Sequence, residues 1–232
     1  ILKKFWSLIT EIWSPLTIIK TMKKRQRREA EYKQMAFETA VRNPERYRGI
    51  LSRLSEFEGK TLNDTNLLEI VSHLYLVGEV SSQNISITSA TTPEKIKDDV
   101  IKVNTTRNAD GGFPRGYASR FWTYMRTLSE LGFVYAQYER PLKLSQMAKK
   151  LIKGDVDEQE AFSVQAMKYN RKSPYRNVSN DFNFFRFVLQ VLLSLRERGS
   201  SLSYEQFVPL MFSKNGDVAE FLDLLSQNKF NR

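Results

Sequence analysis

The sequence predicts a mainly α-helical protein with one small β wing, and three observations support this fold class. Apolar residues recur at helical spacing through most of the chain. Glycines and capping residues separate these helical stretches from one another. A β-prone stretch at 133–144 is divided by a turn at Glu139-Arg140-Pro141. A helix followed by such a hairpin is the second half of a winged helix, so we predict tandem winged-helix or helix-turn-helix DNA-binding subdomains.

Four helices are predicted before residue 110. A charged, helix-prone stretch covers 21–41, and Asn43 and Pro44 then cap and begin a second helix that ends near 58–60. A third helix follows Asn63 and stops at Gly78, and the fourth begins at Pro93. The intervening residues 81–92 are polar and are predicted to form a loop.

The stretch 115–126 predicts an amphipathic helix with a basic outer face. At about 100° per residue, one side carries apolar residues, namely Ala118, Phe121, Met125, Leu128 and Leu131 at its edge. The opposite side carries Gly116, Ser119, Arg120, Thr123, Arg126 and Thr127. Leu131-Gly132 ends the helix. Such a helix suits the DNA major groove, although a solvated surface helix packed on a core has the same pattern.

Five further helices are predicted after the hairpin, at 145–152, 157–169, 182–198, 204–212 and from 217 onward. Asp181 is the predicted cap of the apolar helix 182–198, and Ser203 and Asp217 are predicted to cap the last two. The order of the last three predicted helices, in which the middle one is short, is typical of the first half of a second helix-turn-helix unit. We expect six apolar side chains to be buried: Phe121, Met125, Leu128, Val188, Leu192 and Phe221.

Residues 168–176, here called the basic segment, form the second cluster of positive charge. Four cations interleave with two tyrosines, and no acidic residue intervenes. Such residues suit contacts with phosphates, since cations neutralise charge and tyrosine hydroxyls donate hydrogen bonds. A basic linker between helices explains the same composition equally well.

The composition indicates a polyanionic partner. The 232 residues include 36 Lys and Arg against 26 Asp and Glu, which gives a net charge of +10. Double-stranded DNA is the predicted partner, while an acidic protein or a membrane surface is the competing interpretation. The chain has no cysteine, so disulfides and thiolate metal sites are excluded.

The N-terminal part predicts a separate extension. Residues 1–19 are apolar and precede a basic run at 23–28, but Lys3, Lys4, Glu11 and Pro15 interrupt any membrane span. Because the chain begins at Ile1, we expect it to be a fragment or a processed product.

The predicted domains are an extension with a basic helix at 1–38, a helical subdomain with the first winged helix at 39–155, and a helix-turn-helix-like subdomain at 156–232.

Catalytic patterns are weak throughout the sequence. Glu58-Gly59-Lys60, with Glu45 or Asp64, is the only local candidate for a metal-dependent nuclease, and a helix end explains it better. His73 lies among apolar helix residues, and Gly111-Gly112 lacks a phosphate-loop pattern. We therefore predict no catalytic residue, metal ligand or small-molecule substrate.

The predicted DNA-contacting residues come from the amphipathic helix and the basic segment. They are Arg115, Tyr117, Ser119, Arg120, Thr123, Arg126, Lys168, Arg171, Lys172, Tyr175 and Arg176.

Four motifs carry a resemblance to a known family. They are Val41-Arg42-Asn43-Pro44-Glu45-Arg46; Glu56-Phe57-Glu58-Gly59-Lys60; Ser119-Arg120-Phe121-Trp122-Thr123-Tyr124-Met125 with Leu131-Gly132-Phe133; and the stretch from Gln165 to Arg176. Together they resemble the N-terminal recognition region of AlwI-like type IIS restriction endonucleases, over about residues 39–225.

The resemblance implies an enzyme of several domains that reads a short asymmetric DNA site and cuts outside it. A separate Mg-dependent nuclease domain of the PD-(D/E)xK type would follow, as a C-terminal domain or subunit. The present chain would end before it, and would bind DNA in the bacterial cytoplasm without a cofactor and without cutting. The alternative function is a winged-helix transcriptional or replication regulator.

Overall fold

The computed structural model describes residues 29–35, 45–106 and 116–227. The chain divides into two compact units, residues 1–30 and 31–232. Only Glu29 and Ala30 of the first unit are described, so the following account concerns the second. Four predicted features lie outside the described residues: the basic run 23–28, the Asn43-Pro44 helix start, Gly111-Gly112 and Arg115.

Nine helices and two short strands form within the described ranges. The elements are α1 (Glu45–Ser55), α2 (Asp64–Leu76), α3 (Pro93–Thr106), α4 (Gly116–Glu130), β1 (Val134–Tyr135), β2 (Lys143–Leu144), α5 (Gln146–Lys153), α6 (Glu158–Ala166), α7 (Phe184–Glu197), α8 (Tyr204–Met211) and α9 (Val218–Ser226). The prediction of a mainly helical protein with one small hairpin is confirmed.

The hairpin is antiparallel, with Val134 opposite Leu144 and Tyr135 opposite Lys143. Successive side chains on a strand point to opposite faces, so Val134 and Leu144 are buried while Tyr135 and Lys143 are exposed. A stretch between α1 and α2 joins its outer edge through a bridge from Thr61 to Pro141. Backbone hydrogen bonds from Leu62 N to Arg140 O and from Leu142 N to Lys60 O, both 2.9 Å, hold this third chain segment in place.

Gly132 fixes the hairpin directly after α4. The helix ends at Glu130, and Gly132 has a φ of +76°, a left-handed conformation that favours glycine. The Phe133 N–H then donates to Leu128 O at 2.8 Å, which closes the helix end and turns the chain into β1. The predicted Leu131-Gly132 stop is therefore confirmed, and its geometry determines where the hairpin begins.

The core is one contiguous cluster that draws on most elements. In α4, Phe121, Met125 and Leu128 are fully or almost fully buried, as predicted, and so is Phe221 in α9. Helix α6, which follows the predicted boundary at 155/156, packs the Phe162 ring 4.8 Å from Phe133 and 5.7 Å from Tyr47, between ring centroids.

Two burial predictions in α7 are wrong. Leu192 is 41% exposed, and Val188 is only partly buried. The buried face of α7 instead consists of Phe184, Phe187, Val191 and Leu195. Helix α7 carries apolar residues on nearly every side, so its periodicity does not specify which side faces the core.

The predicted cap of this helix is also wrong. Asn183, and not Asp181, caps α7, because its side chain accepts a hydrogen bond from Arg186 N at 2.9 Å. Asp181 instead accepts from Asn170 Nδ2 at 3.0 Å and pairs with Lys172 Nζ at 3.1 Å. These contacts tie the start of the basic segment to the residues that precede α7.

Residues 31–35 form no helix, so the helix predicted over 21–41 is wrong there. Their backbone is instead hydrogen-bonded to distant parts of the chain, with Ser179 N donating to Glu31 O at 2.9 Å and Met35 N donating to Met211 O at 2.8 Å. Asn180 Oδ1 accepts from Lys33 N at 3.0 Å. Long-range partners for the backbone thus outweigh the local helix propensity.

Candidate nucleic-acid interface

Helix α4 presents a polar outer face beside the hairpin. Ser119 and Arg126 are exposed, and Arg120 and Thr123 are half-buried. The Thr123 hydroxyl donates to Ser119 O at 2.9 Å, one turn back along the helix. Two residues that the sequence placed on this face are buried, namely Gly116 and Thr127, so the exposed strip is narrower than predicted.

Tyr117, a predicted DNA contact at the start of α4, is also buried. Further along the helix, burial is the main cause that raises the pKa of Tyr124, and the nearby Tyr75 adds to it. Arg120 and Arg46 lie close enough to Tyr124 to oppose this rise through their positive charge. Arg46 of α1 therefore lies near the same tyrosine as Arg120, and its Nη2 donates to Glu79 O at 3.0 Å.

The exposed face of the hairpin adds residues that sequence reasoning missed. Tyr135 and Lys143 stand opposite each other on it, and Arg140 is exposed in the turn. The Tyr135 hydroxyl donates to Gln137 Oε1 at 2.8 Å. The alternation in 133–138 and 142–144 contained the signal for this face, because every second residue of a half-buried strand points to solvent.

The basic segment divides into exposed and buried cations. Lys168 and Lys172 are exposed. Arg171 is 2% exposed, and its Nη2 donates to Gln34 O while Nη1 lies 3.5 Å from the Tyr169 hydroxyl. Burial is the main cause that raises the pKa of Tyr169.

Arg176 forms an ion pair with Glu130, the last residue of α4, through Nε and Oε1. The Glu130 side chain is fully buried and that of Arg176 is 17% exposed. Tyr175, which is half-buried, lies against the same helix near Trp122 and Arg126. The fold therefore brings the end of the basic segment to α4, while Arg171 and Arg176 are committed to contacts inside the protein.

The residues considered for catalysis have structural partners. Glu58 Oε1 accepts from Leu144 N at 3.1 Å and lies 3.0 Å from Lys149 Nζ. The Lys149 hydrogen bond is the main cause that lowers the pKa of Glu58, and the Leu144 N–H adds to it. Lys60 Nζ pairs with Glu69 Oε1 at 3.2 Å. Asp64 Oδ1 accepts from the Tyr138 hydroxyl at 3.3 Å.

Nothing in the described parts of the chain forms a metal site. Within 29–35, 45–106 and 116–227, no three His, Asp or Glu side chains are grouped so that they could hold an ion. The Glu58 carboxylate, the best sequence candidate for a magnesium ligand, is engaged by Lys149 and Leu144. His73 packs edge-on against the Phe57 ring at 5.4 Å and lies 3.3 Å from Glu56 through its Nε2.

No helix in the portion that the structure describes is long and apolar enough to cross a membrane.

Comparison with known families finds a similarity between part of the chain and a family of restriction endonucleases. The family is AlwI restriction endonuclease, whose sequence model matches residues 129–230, from the end of α4 through the hairpin and on past α9. This match confirms the AlwI-like resemblance and supports assignment to that family, although it spans less than half of the 232 residues. The motifs at 131–133 and 165–176 lie inside the match, and those at 41–46, 56–60 and 119–125 lie outside it. No curated protein and no solved structure matches the chain.

Proposed function

We propose that this chain is a double-stranded DNA-recognition region of a restriction endonuclease, with α4 as its reading helix. The observation that carries the proposal is the exposed strip of α4 with Ser119 and Arg126, together with the exposed hairpin face with Tyr135 and Lys143 on the element that follows and contacts this helix. The AlwI family match, which begins at residue 129, supports the restriction class.

The order of elements supports a winged-helix interpretation. The chain order matches that of a winged helix: α1, residues 60–62, α2, α4 and then the hairpin. Helix α3 would be an insertion between α2 and α4. Residues 60–62 and the hairpin share backbone hydrogen bonds, which supports the interpretation of the hairpin as a wing. A second helix-turn-helix unit would consist of α7, α8 and α9, in which the Phe187 and Phe221 rings pack 5.7 Å apart.

The two groups of polar residues would have different roles. Arginine on a helix in the major groove can make two hydrogen bonds to one guanine, which discriminates bases by about 1–3 kcal/mol. Arg120 and Arg126, with Ser119 and Thr123, are the residues for that role. Lysines outside the groove, namely Lys143, Lys168 and Lys172, would neutralise phosphates, which fixes the register but carries no sequence information.

DNA cleavage belongs, in this proposal, to a Mg-dependent nuclease domain or subunit of the type IIS enzyme. Glu58 and Lys60 hold the hairpin and the α1 end in place and would take no part in the chemistry. The described residues would then bind DNA and supply no metal ligand.

Enrichment of a random duplex library by the purified chain tests the proposal. We expect the wild-type chain to enrich one short DNA sequence, because base-edge contacts from α4 discriminate among bases. Arg120→Ala should relax the preference at one position, while Lys143→Ala should weaken binding to all sequences alike. Enrichment of no sequence, together with equal losses in both variants, would contradict the role of α4 as the reader.

Magnesium provides the second arm of the same experiment. The chain incubated with the enriched duplex and Mg²⁺ should leave both strands intact, since we assign cutting to another domain or subunit. Cleavage by the pure chain would show that the catalytic site lies within it.

A further inference from the structure

A pocket of about 220 Å³ opens beside α4, between this helix, the end of β1 and the basic segment. Its lining combines two aromatic rings with one guanidinium and small or flexible side chains: Trp122, Met125, Arg126, Ser129, Ala136 and Tyr175. Because Arg126 also belongs to the exposed strip of α4, the pocket opens next to the proposed DNA-reading surface.

The aromatic walls are held in place by contacts behind them. The Trp122 ring packs edge-on against Phe121, with centroids 4.9 Å apart. The Tyr175 hydroxyl is hydrogen-bonded to the Ala136 backbone, and burial raises the pKa of Tyr175. Met125 and Ser129 are buried. Packed side chains therefore hold the walls of the pocket in place, and the pocket is already formed before a ligand binds.

The size and lining of the pocket favour one planar ring. The pocket has a volume of about 220 Å³. This volume lies below the ~300 Å³ at which pockets for drug-sized molecules begin. Aromatic rings and an arginine plane bind bases by stacking, and a hydroxyl can bond to a base edge. A single nucleobase fits both the volume and the chemistry.

We propose that this pocket binds one nucleobase that has left the DNA helix. The inference rests on the proposed function, since the base must arrive with duplex bound on α4. Extracting a paired base costs at least as much as stacking in the pocket returns. The pocket therefore prefers a base that is already unpaired, which makes a single-nucleotide bulge the appropriate probe.

The experiment compares three duplexes of one sequence: fully paired, with a one-adenine bulge, and with an abasic bulge at the same place. We expect the chain to bind the adenine bulge about 5- to 150-fold more tightly than the abasic bulge, which is the range that one stacked base provides. The abasic duplex controls for the bend and the flexible backbone that any bulge introduces.

Variants assign the difference to the pocket. Tyr175→Ala and Trp122→Ala should each remove most of the preference for the adenine bulge, while Tyr175→Phe should retain it because the ring remains. Tyr204→Ala, which removes an aromatic ring that is 81% exposed on α8, is the matched control and should leave the preference unchanged.

Tryptophan fluorescence tests the same pocket with both aromatic walls still in place, so this measurement does not require the alanine variants to fold. Trp122 is one of three tryptophans, so Trp6→Phe with Trp13→Phe leaves it as the single reporter. Its emission should change when the adenine bulge binds and stay unchanged with the abasic bulge.

The outcomes separate this proposal from the one on which it rests. Equal affinity for adenine and abasic bulges, with paired duplex still bound, overturns the base pocket and leaves DNA recognition standing. Failure to bind any of the three duplexes at low salt overturns both. A preference for the adenine bulge that survives Tyr175→Ala and Trp122→Ala in folded protein overturns the assignment to this pocket.

Discussion

At the residue scale, Glu130 shows how one buried charge determines the role of a distant cation. Its side chain is fully buried at the end of α4, and the Arg176 guanidinium is its ion-pair partner. A buried carboxylate without such a partner is strongly unfavourable, since little solvent remains to stabilise the charge. Arg176 therefore stabilises the packing of the basic segment on α4.

Arg176→Ala should lower the free energy of unfolding by about 3–5 kcal/mol, because it leaves Glu130 buried without a counterion. Urea denaturation followed by circular dichroism measures this change. Lys172→Ala, the matched control from the same segment, removes a cation whose partner Asp181 is well exposed, and should leave stability nearly unchanged. Equal stability of the two variants would show that the Glu130–Arg176 pair does not anchor the segment.

At the element scale, Glu58 joins three elements at the base of the hairpin. It follows α1, its carboxylate accepts from Leu144 N in β2, and it pairs with Lys149 in α5. The Lys149 hydrogen bond, the Leu144 N–H and the Lys149 charge lower the pKa of Glu58, while burial partly opposes them. The position of the hairpin relative to α1 thus depends on an ionised carboxylate.

The lowered pKa of Glu58 predicts a pH-dependent contribution to stability. A carboxyl whose folded pKa is below its unfolded value stabilises the fold fully above the unfolded pKa of ~4.3. That contribution is lost as pH falls through the lower folded pKa. Glu58→Gln should therefore destabilise the chain near neutral pH, and the difference from wild type should shrink below about pH 4.3.

The effect should stay below about 1 kcal/mol, because the Glu58 side chain is 32% exposed and solvent screens its charge. Thermal or urea unfolding at a series of pH values measures it. In a Lys149→Ala background, the difference made by Glu58→Gln should become smaller, since the main cause of the shift is absent. A difference that is constant with pH would contradict the assignment of this carboxylate as the titrating group.

At the scale of the whole molecule, the net charge of +10 predicts salt-dependent binding to duplex DNA. Each phosphate that a cation neutralises contributes a slope of about −0.9 in log K against log salt. The exposed lysines of the hairpin and the basic segment are the residues for such contacts, whereas the buried Arg171 is not accessible to a phosphate.

Titration of a labelled duplex at several salt concentrations should give a steep slope for the wild-type chain. Lys172→Ala should flatten that slope by about one unit, because one phosphate contact is lost. In the unbound protein Lys172 pairs with Asp181 at the surface, and a DNA phosphate can replace that partner at little cost. A shallow slope in the wild-type chain would instead favour an acidic protein as the partner.

The sequence by itself determined those features that depend on neighbouring residues. The apolar period of α4 predicted that Phe121, Met125 and Leu128 enter the core, and Gly132 predicted the stop that places the hairpin next to the helix. Helix period, glycine conformation and strand alternation act over a few residues, so they can be read without knowledge of the rest of the fold. The AlwI-like resemblance was also evident from motifs in the chain, and part of it lies inside the family match.

Only the tertiary structure decided which cations face solvent and which apolar side of α7 is buried. Arg176 and Arg171 have the same local setting as Lys172, but their partners Glu130 and Gln34 lie 46 and 137 residues away in the chain. Leu192 is exposed since α7 is apolar on several sides and its neighbours choose one of them. Burial of a charge or an apolar face depends on which distant segments pack against it, and no local period encodes that choice.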